Sequence, residues 1–202
     1  MRQALAPADG SVQAALRQVD RDAFLNEDER RRRDDDAPLP TAAGQTISQP
    51  SLVAEMLSLV QVRPGDTVLD VGAGSGWVAA LLDHLVGPLG RVVAIERQAA
   101  LVDTMRPRLA RCAPRIEVRH ADGLDGAADR APFAAIHVGC ACDRIPRLLT
   151  DQLADGGRMI VPVGPLLGDQ DLTLIQRRGA ELIISHHGAV RFVPALPGTV
   201  QA

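Results

Sequence analysis

The residues with the most chemical reach gather in three places. The first is GQTISQP, residues 44–50, with two hydroxyls (Thr46, Ser48), two amides (Gln45, Gln49), one buried-type residue (Ile47) and a closing proline. Such a stretch either starts a helix, with Ser48 as N-cap and Pro50 in the first turn, or holds a substrate by short neutral donors. The second is VLDVGAGSGW, residues 68–77, where Gly72, Gly74 and Gly76 lie between a strand-like run and a helix-like one. Glycine permits positive φ and close approach of a ligand to the backbone, and the following helix offers free N–H groups to a polar or anionic ligand. The third is a pair of acids that close later strand-like runs, Glu96 and Asp122, the latter followed by Gly123. Glu96 stands 20 residues beyond Gly76, the distance at which an acid meets ribose hydroxyls in nucleotide-binding βαβ units. The plainer alternatives are a tight turn with a surface Glu and a bare Asp-Gly turn.

The elements that must position these residues follow from periodicity. Residues 1–43 read as an N-terminal helical cap, with a helix over 12–24 and then EDERRRRDDD, residues 27–36. That run is either a basic patch for an acidic partner or a solvated helix end; four Arg against six acids nearly cancel, which favours the second. Residues 44–202 read as the main domain. Helical stripes cover 52–60, 78–86, 99–111 and 145–153, and strand-like runs cover 67–71, 91–95, 116–119, 134–138 and 158–163. The tail is different, with strand-like 172–176, 182–185 and 190–193 and at least one hairpin. Alternation of strands and helices implies an α/β fold whose sheet is mostly parallel, with ligands beyond the carboxyl ends of the strands.

Composition narrows the chemistry. The 202 residues suit one domain with a small appendage. All 22 basic residues are Arg and Tyr is absent, which excludes lysine Schiff bases, a P-loop lysine and a tyrosine acid or base. A net charge of −3 and four aromatics give no field or stacking platform for nucleic acid. No apolar run approaches a membrane span, and three cysteines make no disulfide framework, so a soluble, cytoplasmic protein is expected. Cys140 and Cys142 beside His137 have a spacing that metals use, but two close cysteines more often fill a small-residue niche; no metal is expected. His186 and His187 read as strand or turn residues, with substrate contact as the alternative.

The identity of the cofactor turns on one position. The dinucleotide fingerprint needs a small third residue where this chain has Trp77, which argues against a nicotinamide cofactor. The form D-x-G-x-G-x-G, starting at Asp70, resembles the first motif of class I S-adenosylmethionine-dependent methyltransferases. The segments LPTAAGQTISQP, VLDVGAGSGW, VVAIE, ADG, PFAAIHV, QLADGGRMIVPVG and VRFVPAL, in that order, resemble protein-L-isoaspartate (D-aspartate) O-methyltransferases over residues 12–196. The resemblance implies a Rossmann-like methyltransferase fold of about seven strands with helices on both faces, and a β-rich tail on the substrate side. It implies S-adenosyl-L-methionine as cofactor and isoaspartyl peptides and proteins as partners, the chain acting as a monomer. By the same resemblance Ser48, with Thr46, serves catalysis. The cofactor is met by Gln45, Thr46, Ile47, Ser48, Asp70, Val71, Gly72, Ala73, Gly74, Ser75, Gly76, Glu96, Asp122 and Gly123. Val190, Phe192, Val193 and Pro194 lie beside the substrate peptide.

The implied reaction joins a carboxylate, already ionised at neutral pH, to a sulfonium methyl group. It needs no general base and no covalent enzyme intermediate. Charge fades in the transition state, so a fixed cation at the carboxylate would hold back the ground state. Positioning is what remains, and Ser48 is expected to orient the carboxylate rather than attack it. The chain departs from the family pattern at Asp34, Asp35 and Asp36, in place of aromatic residues, and at Thr41, Ala42 and Ala43. Two further readings therefore stand beside isoaspartyl repair: a specialised carboxyl methyltransferase for a dedicated peptide or small acid, and a non-catalytic cofactor-binding relative.

Overall fold

The structure, a computed structural model, describes residues 9–201. The first eight residues of the expected cap lie outside the described residues. In chain order come α1 (Asp9–Gln18), two single 3-10 turns (Arg21–Phe24 and Glu27–Arg32), β1 (Leu39–Pro40), β2 (Thr46–Ile47) and α2 (Pro50–Val60). The alternating part follows: β3 (Thr67–Val71), α3 (Trp77–Val86), β4 (Arg91–Glu96), α4 (Ala99–Cys112), β5 (Glu117–His120), β6 (Phe133–Val138) and α5 (Arg147–Asp151). Three long strands complete the chain, β7 (Leu153–Val163), β8 (Gln170–Arg178) and β9 (Glu181–Val190).

Seven strands form one sheet in the order β5-β4-β3-β6-β7-β8-β9. The first five are parallel to one another, and β8 and β9 pair antiparallel with their neighbours. Strand order reverses beside β3, so the loops after β3, β4 and β6 open around one crevice. Buried side chains alternate along the strands. Val68, Val92, Ala94, Ala135 and Ile160 join the core under α2, α3 and α4. Leu69, Val71, Val93, Ile95, Ile136 and Val138 join the opposite core with Leu149 of α5. This period of two is what a sheet covered on both faces requires.

Several expectations need correction. The helix predicted over 12–24 stops at Gln18, because the Asp20 carboxylate accepts from the Asp22 N–H at 3.0 Å and starts a separate 3-10 turn. The helix predicted over 145–153 is a single turn, bounded by Pro146 in front and by Leu153, which already belongs to β7. The tail runs predicted at 182–185 and 190–193 are not two strands: β9 continues to Val190 through a register shift opposite Asp171 and Thr173. Ser48 is not the N-cap of α2. Pro50 takes the first helical position, which makes Gln49 the cap residue, and Gln49 forms no side-chain capping bond. The acid run contributes the cap instead, since Asp36 Oδ1 accepts from the Ser51 N–H at 2.8 Å.

Candidate active site

A cleft, open to solvent at its mouth, lies where the strand order reverses. Its floor is the glycine loop. Gly72, Gly74 and Gly76 have φ of 73°, 56° and 90°, a region that side chains with a Cβ rarely adopt. The loop is stitched to the next strand: Gly72 and Ala73 donate to the Ile95 carbonyl, and Gly74 donates to Glu96 Oε2 at 3.0 Å. Glu96 Oε1 accepts from the Gln98 N–H at 2.8 Å, so one buried carboxylate holds both the loop and the turn after β4. A Cβ at Gly76 would stand 2.8 Å from Met105, which is where the loop and α4 pack most closely.

The other walls come from the ends of β5 and β6 and from the acceptor loop. Asp122 Oδ1 accepts from the Leu124 N–H at 2.9 Å and starts the turn beyond β5. A Cβ at Gly123 would lie 2.6 Å from the Val71 side chain, so only glycine fits there. Gln45 and Thr46 line the cleft on the opposite side, together with Val193 and Pro194 from the tail. These predicted residues are brought together with Val71, Gly72, Gly74, Glu96, Asp122 and Gly123.

Other predicted residues stand behind the wall. Ile47 and Ala73 are buried in the core. Ser75 is buried, and its hydroxyl accepts from the Trp77 N–H in the first turn of α3. Asp70 is fully buried under the loop; Oδ1 is 2.8 Å from His137 Nδ1, and Oδ2 has no partner. Phe192 packs partly buried against the core, and Val190 ends β9 in a neighbouring groove. Ser48 is half-buried and is not among the residues that line the cleft.

The structure adds residues that sequence reasoning missed. Arg97, Gln98, Gly139 and Cys140 line the cleft, each just beyond a strand end, where the same rule that selected Glu96 would have found them. Burial, with nearby Cys142, Glu96, Asp70 and Asp122, pushes the Cys140 thiol well above its ordinary value. Burial, aided by Asp143, pushes Cys142 up to about 11. Among the described residues no three metal-ligating side chains converge. The tail also closes over the cleft. Ala141 donates to the Val193 carbonyl and accepts from the Ala195 N–H beyond β6. Farther on, Gly198 N–H donates to Asp122 Oδ2 at 2.5 Å, Arg97 Nε donates to the Gly198 carbonyl at 3.0 Å, and Val200 exchanges backbone bonds with Arg97 and Ala99. Residues 193–200 thus span from the end of β6 to the end of β4, across the glycine loop between them.

Residues 2–199 match the family described as protein-L-isoaspartate(D-aspartate) O-methyltransferase. The chain belongs to that family. A protein-L-isoaspartate O-methyltransferase of Methylorubrum populi is 44% identical over 94% of this chain and 88% of its own. Its counterpart from Methanothermobacter thermautotrophicus is 39% identical over 92% of this chain and 87% of its own. Among solved structures, a Plasmodium falciparum candidate protein-L-isoaspartate O-methyltransferase in complex with S-adenosyl-L-homocysteine superposes with a TM-score of 0.79, at 28% identity, over 92% of this chain and 90% of that one. Family membership accounts for the pairing of a glycine-loop cleft with a hydroxyl-bearing loop on its rim. Among the described residues no helix is long and apolar enough to cross a membrane.

Proposed function

We propose that this protein transfers a methyl group from S-adenosyl-L-methionine to the free α-carboxylate of L-isoaspartyl residues and so begins the repair of damaged proteins. The observation that carries the reading is that Gln45 and Thr46 of GQTISQP line one cleft with the glycine loop in a chain of this family. The residues present suit the cofactor. Positive-φ glycines leave room at the loop, Glu96 offers a buried carboxylate for ribose hydroxyls, and the Asp122–Gly123 turn offers a slot too tight for a side chain. Asp70, with one buried oxygen unpaired, supplies negative charge under the loop for the cofactor's ammonium end.

The cofactor supplies an electrophilic methyl on a sulfonium. With it bound, the acceptor carboxylate would become a methyl ester and the sulfonium a neutral thioether. Thr46 and Ser48 orient the carboxylate; neither takes its proton, because at neutral pH it has none. Val193 and Pro194 guide the peptide along the cleft rim, and Phe192 and Val190 support them from behind. Residues 9–43 act as a cap on the acceptor side. The thiol of Cys140 stays protonated beside the cleft, so it does not compete as a nucleophile. We read the protein as a cytoplasmic monomer that acts on isoaspartyl peptides and proteins, with no nucleic acid partner.

The test is repair itself. An isoaspartyl peptide incubated with the protein and excess cofactor should convert over repeated cycles to a mixture containing the aspartyl peptide, through a succinimide. Stable methylation of ordinary aspartyl peptides, or of a small free acid in preference to the peptide, would favour the specialised methyltransferase instead.

A further inference from the structure

Arg21 makes an unusual set of contacts. Its side chain is 6% exposed, and its guanidinium lies over the Trp77 ring at 5.4 Å. Nη1 donates to the carbonyls of Arg33 (3.1 Å) and Asp35 (2.9 Å). Nη2 donates to the carbonyls of Ala37 (2.8 Å) and Ser48 (3.1 Å). One side chain thus fastens three points of the loop before β1 and the main chain of Ser48. The fork and plane of a guanidinium allow this; a lysine ammonium, a point donor, cannot reproduce it.

The position of Arg21 links the two halves of the site. Trp77 is the first residue of α3, directly after Gly76, and its indole N–H donates to the Val19 carbonyl at 3.4 Å. The indole therefore turns away from the cleft and makes the surface on which Arg21 rests. The acceptor loop has its own internal ties: Leu39 pairs with Ile47, Pro40 with Thr46, and the Thr41 N–H donates to the Gln45 carbonyl at 2.8 Å. None of those ties fixes the loop relative to α3. Arg21 does.

We infer that Arg21 is a positioning residue for methyl transfer, setting the main chain at Ser48 relative to the glycine loop without touching substrate or cofactor. The inference rests on the acceptor role of Ser48 given above. Misplacement of a reacting group by about 1 Å can cost about 100-fold in rate. Arg21→Met should therefore lower kcat/KM for an isoaspartyl peptide by about that factor, while S-adenosyl-L-homocysteine binding, read by calorimetry, stays within the wild-type range. Arg21→Lys, which keeps the charge and the stem over Trp77, should show the same split in milder form and serves if the methionine variant does not fold.

Two readouts separate positioning from general destabilisation. If Arg21 acts through Ser48, the double variant Arg21→Lys/Ser48→Ala loses no more turnover than Ser48→Ala alone. Amide exchange in Arg21→Lys should also be faster at Thr41, Gln45 and Ile47 and unchanged at Gly72, Ala73 and Gly74. Additive losses in the double variant, cofactor affinity falling in step with turnover, or unchanged exchange in the acceptor loop would each overturn the proposal. The exchange measurement needs no substrate. A wild-type protein that transfers no methyl would therefore sink the assigned activity, while Arg21 is still scored by exchange.

Discussion

At the scale of single residues, the site works by placing short neutral donors and shielded carboxylates rather than by shifting protons. Thr46 lines the cleft, and half-buried Ser48 lies two residues beyond it on the same loop. A hydrogen bond to a charged group contributes about 1.5–3 kcal/mol, so Ser48→Ala should lower turnover about 10- to 100-fold. The dissociation constant for S-adenosyl-L-homocysteine should hardly move, and an equal loss in both would contradict an orienting role. Which residues were legible beforehand depends on how local their duties are. Gly72, Gly74, Glu96 and Gly123 were readable because a tight strand-to-helix loop and an acid at a strand end are short-range patterns. Arg21 was not, because a buried arginine that serves carbonyls at positions 33, 35, 37 and 48 leaves no trace in periodicity. The Ser48 cap failed for a local reason: proline at the first helical position moved the cap by one residue.

At the scale of elements, two segments without regular structure do much of the positioning. The acid run resembles a solvated patch in sequence, and most of it is one: Asp34 is 93% exposed and Asp35 pairs with Arg32. Asp36 differs, because it caps α2 from 15 residues away and its carboxyl is held below the ordinary value by that backbone N–H. Asp36 thus has a structural use at the start of α2. The tail from 197 to 200 was equally invisible, since it binds through main-chain groups and carries no periodic signal. It spans the cofactor cleft, so truncation after Leu196 removes the Gly198 bond to Asp122, both Arg97 side-chain bonds and the Val200 backbone bonds. We expect such a truncation to weaken cofactor binding, measured by calorimetry, and to leave the melting temperature close to wild type. A truncated protein that binds the cofactor as tightly as the full chain would show that the tail serves only the peptide.

At the scale of the whole molecule, the α/β alternation was legible because β3, β4 and β6 are short apolar runs each followed by a helix or turn. The five-strand parallel core then sets the crevice, and the antiparallel β8 and β9 extend the sheet beyond β7. A surface ion pair makes a small part of the stability depend on acid pH. Arg119 bonds to Asp129 and holds its carboxyl down from 3.8 to about 2. A lowered native value stabilises the fold above the unfolded value, and that contribution fades as pH falls from about 3.8 toward about 2. Asp129→Asn should therefore lower thermal stability slightly at neutral pH and match wild type near pH about 2, which flattens the loss across that window. The contribution is modest because the pair is solvent-exposed. The central claim concerns the acceptor, and one measurement reaches it directly: labelled methyl transfer to an isoaspartyl peptide and to its aspartyl twin of identical sequence. Base-labile label on the isoaspartyl peptide alone is the predicted result; equal labelling of both, or tight cofactor binding with no transfer to either, would contradict it.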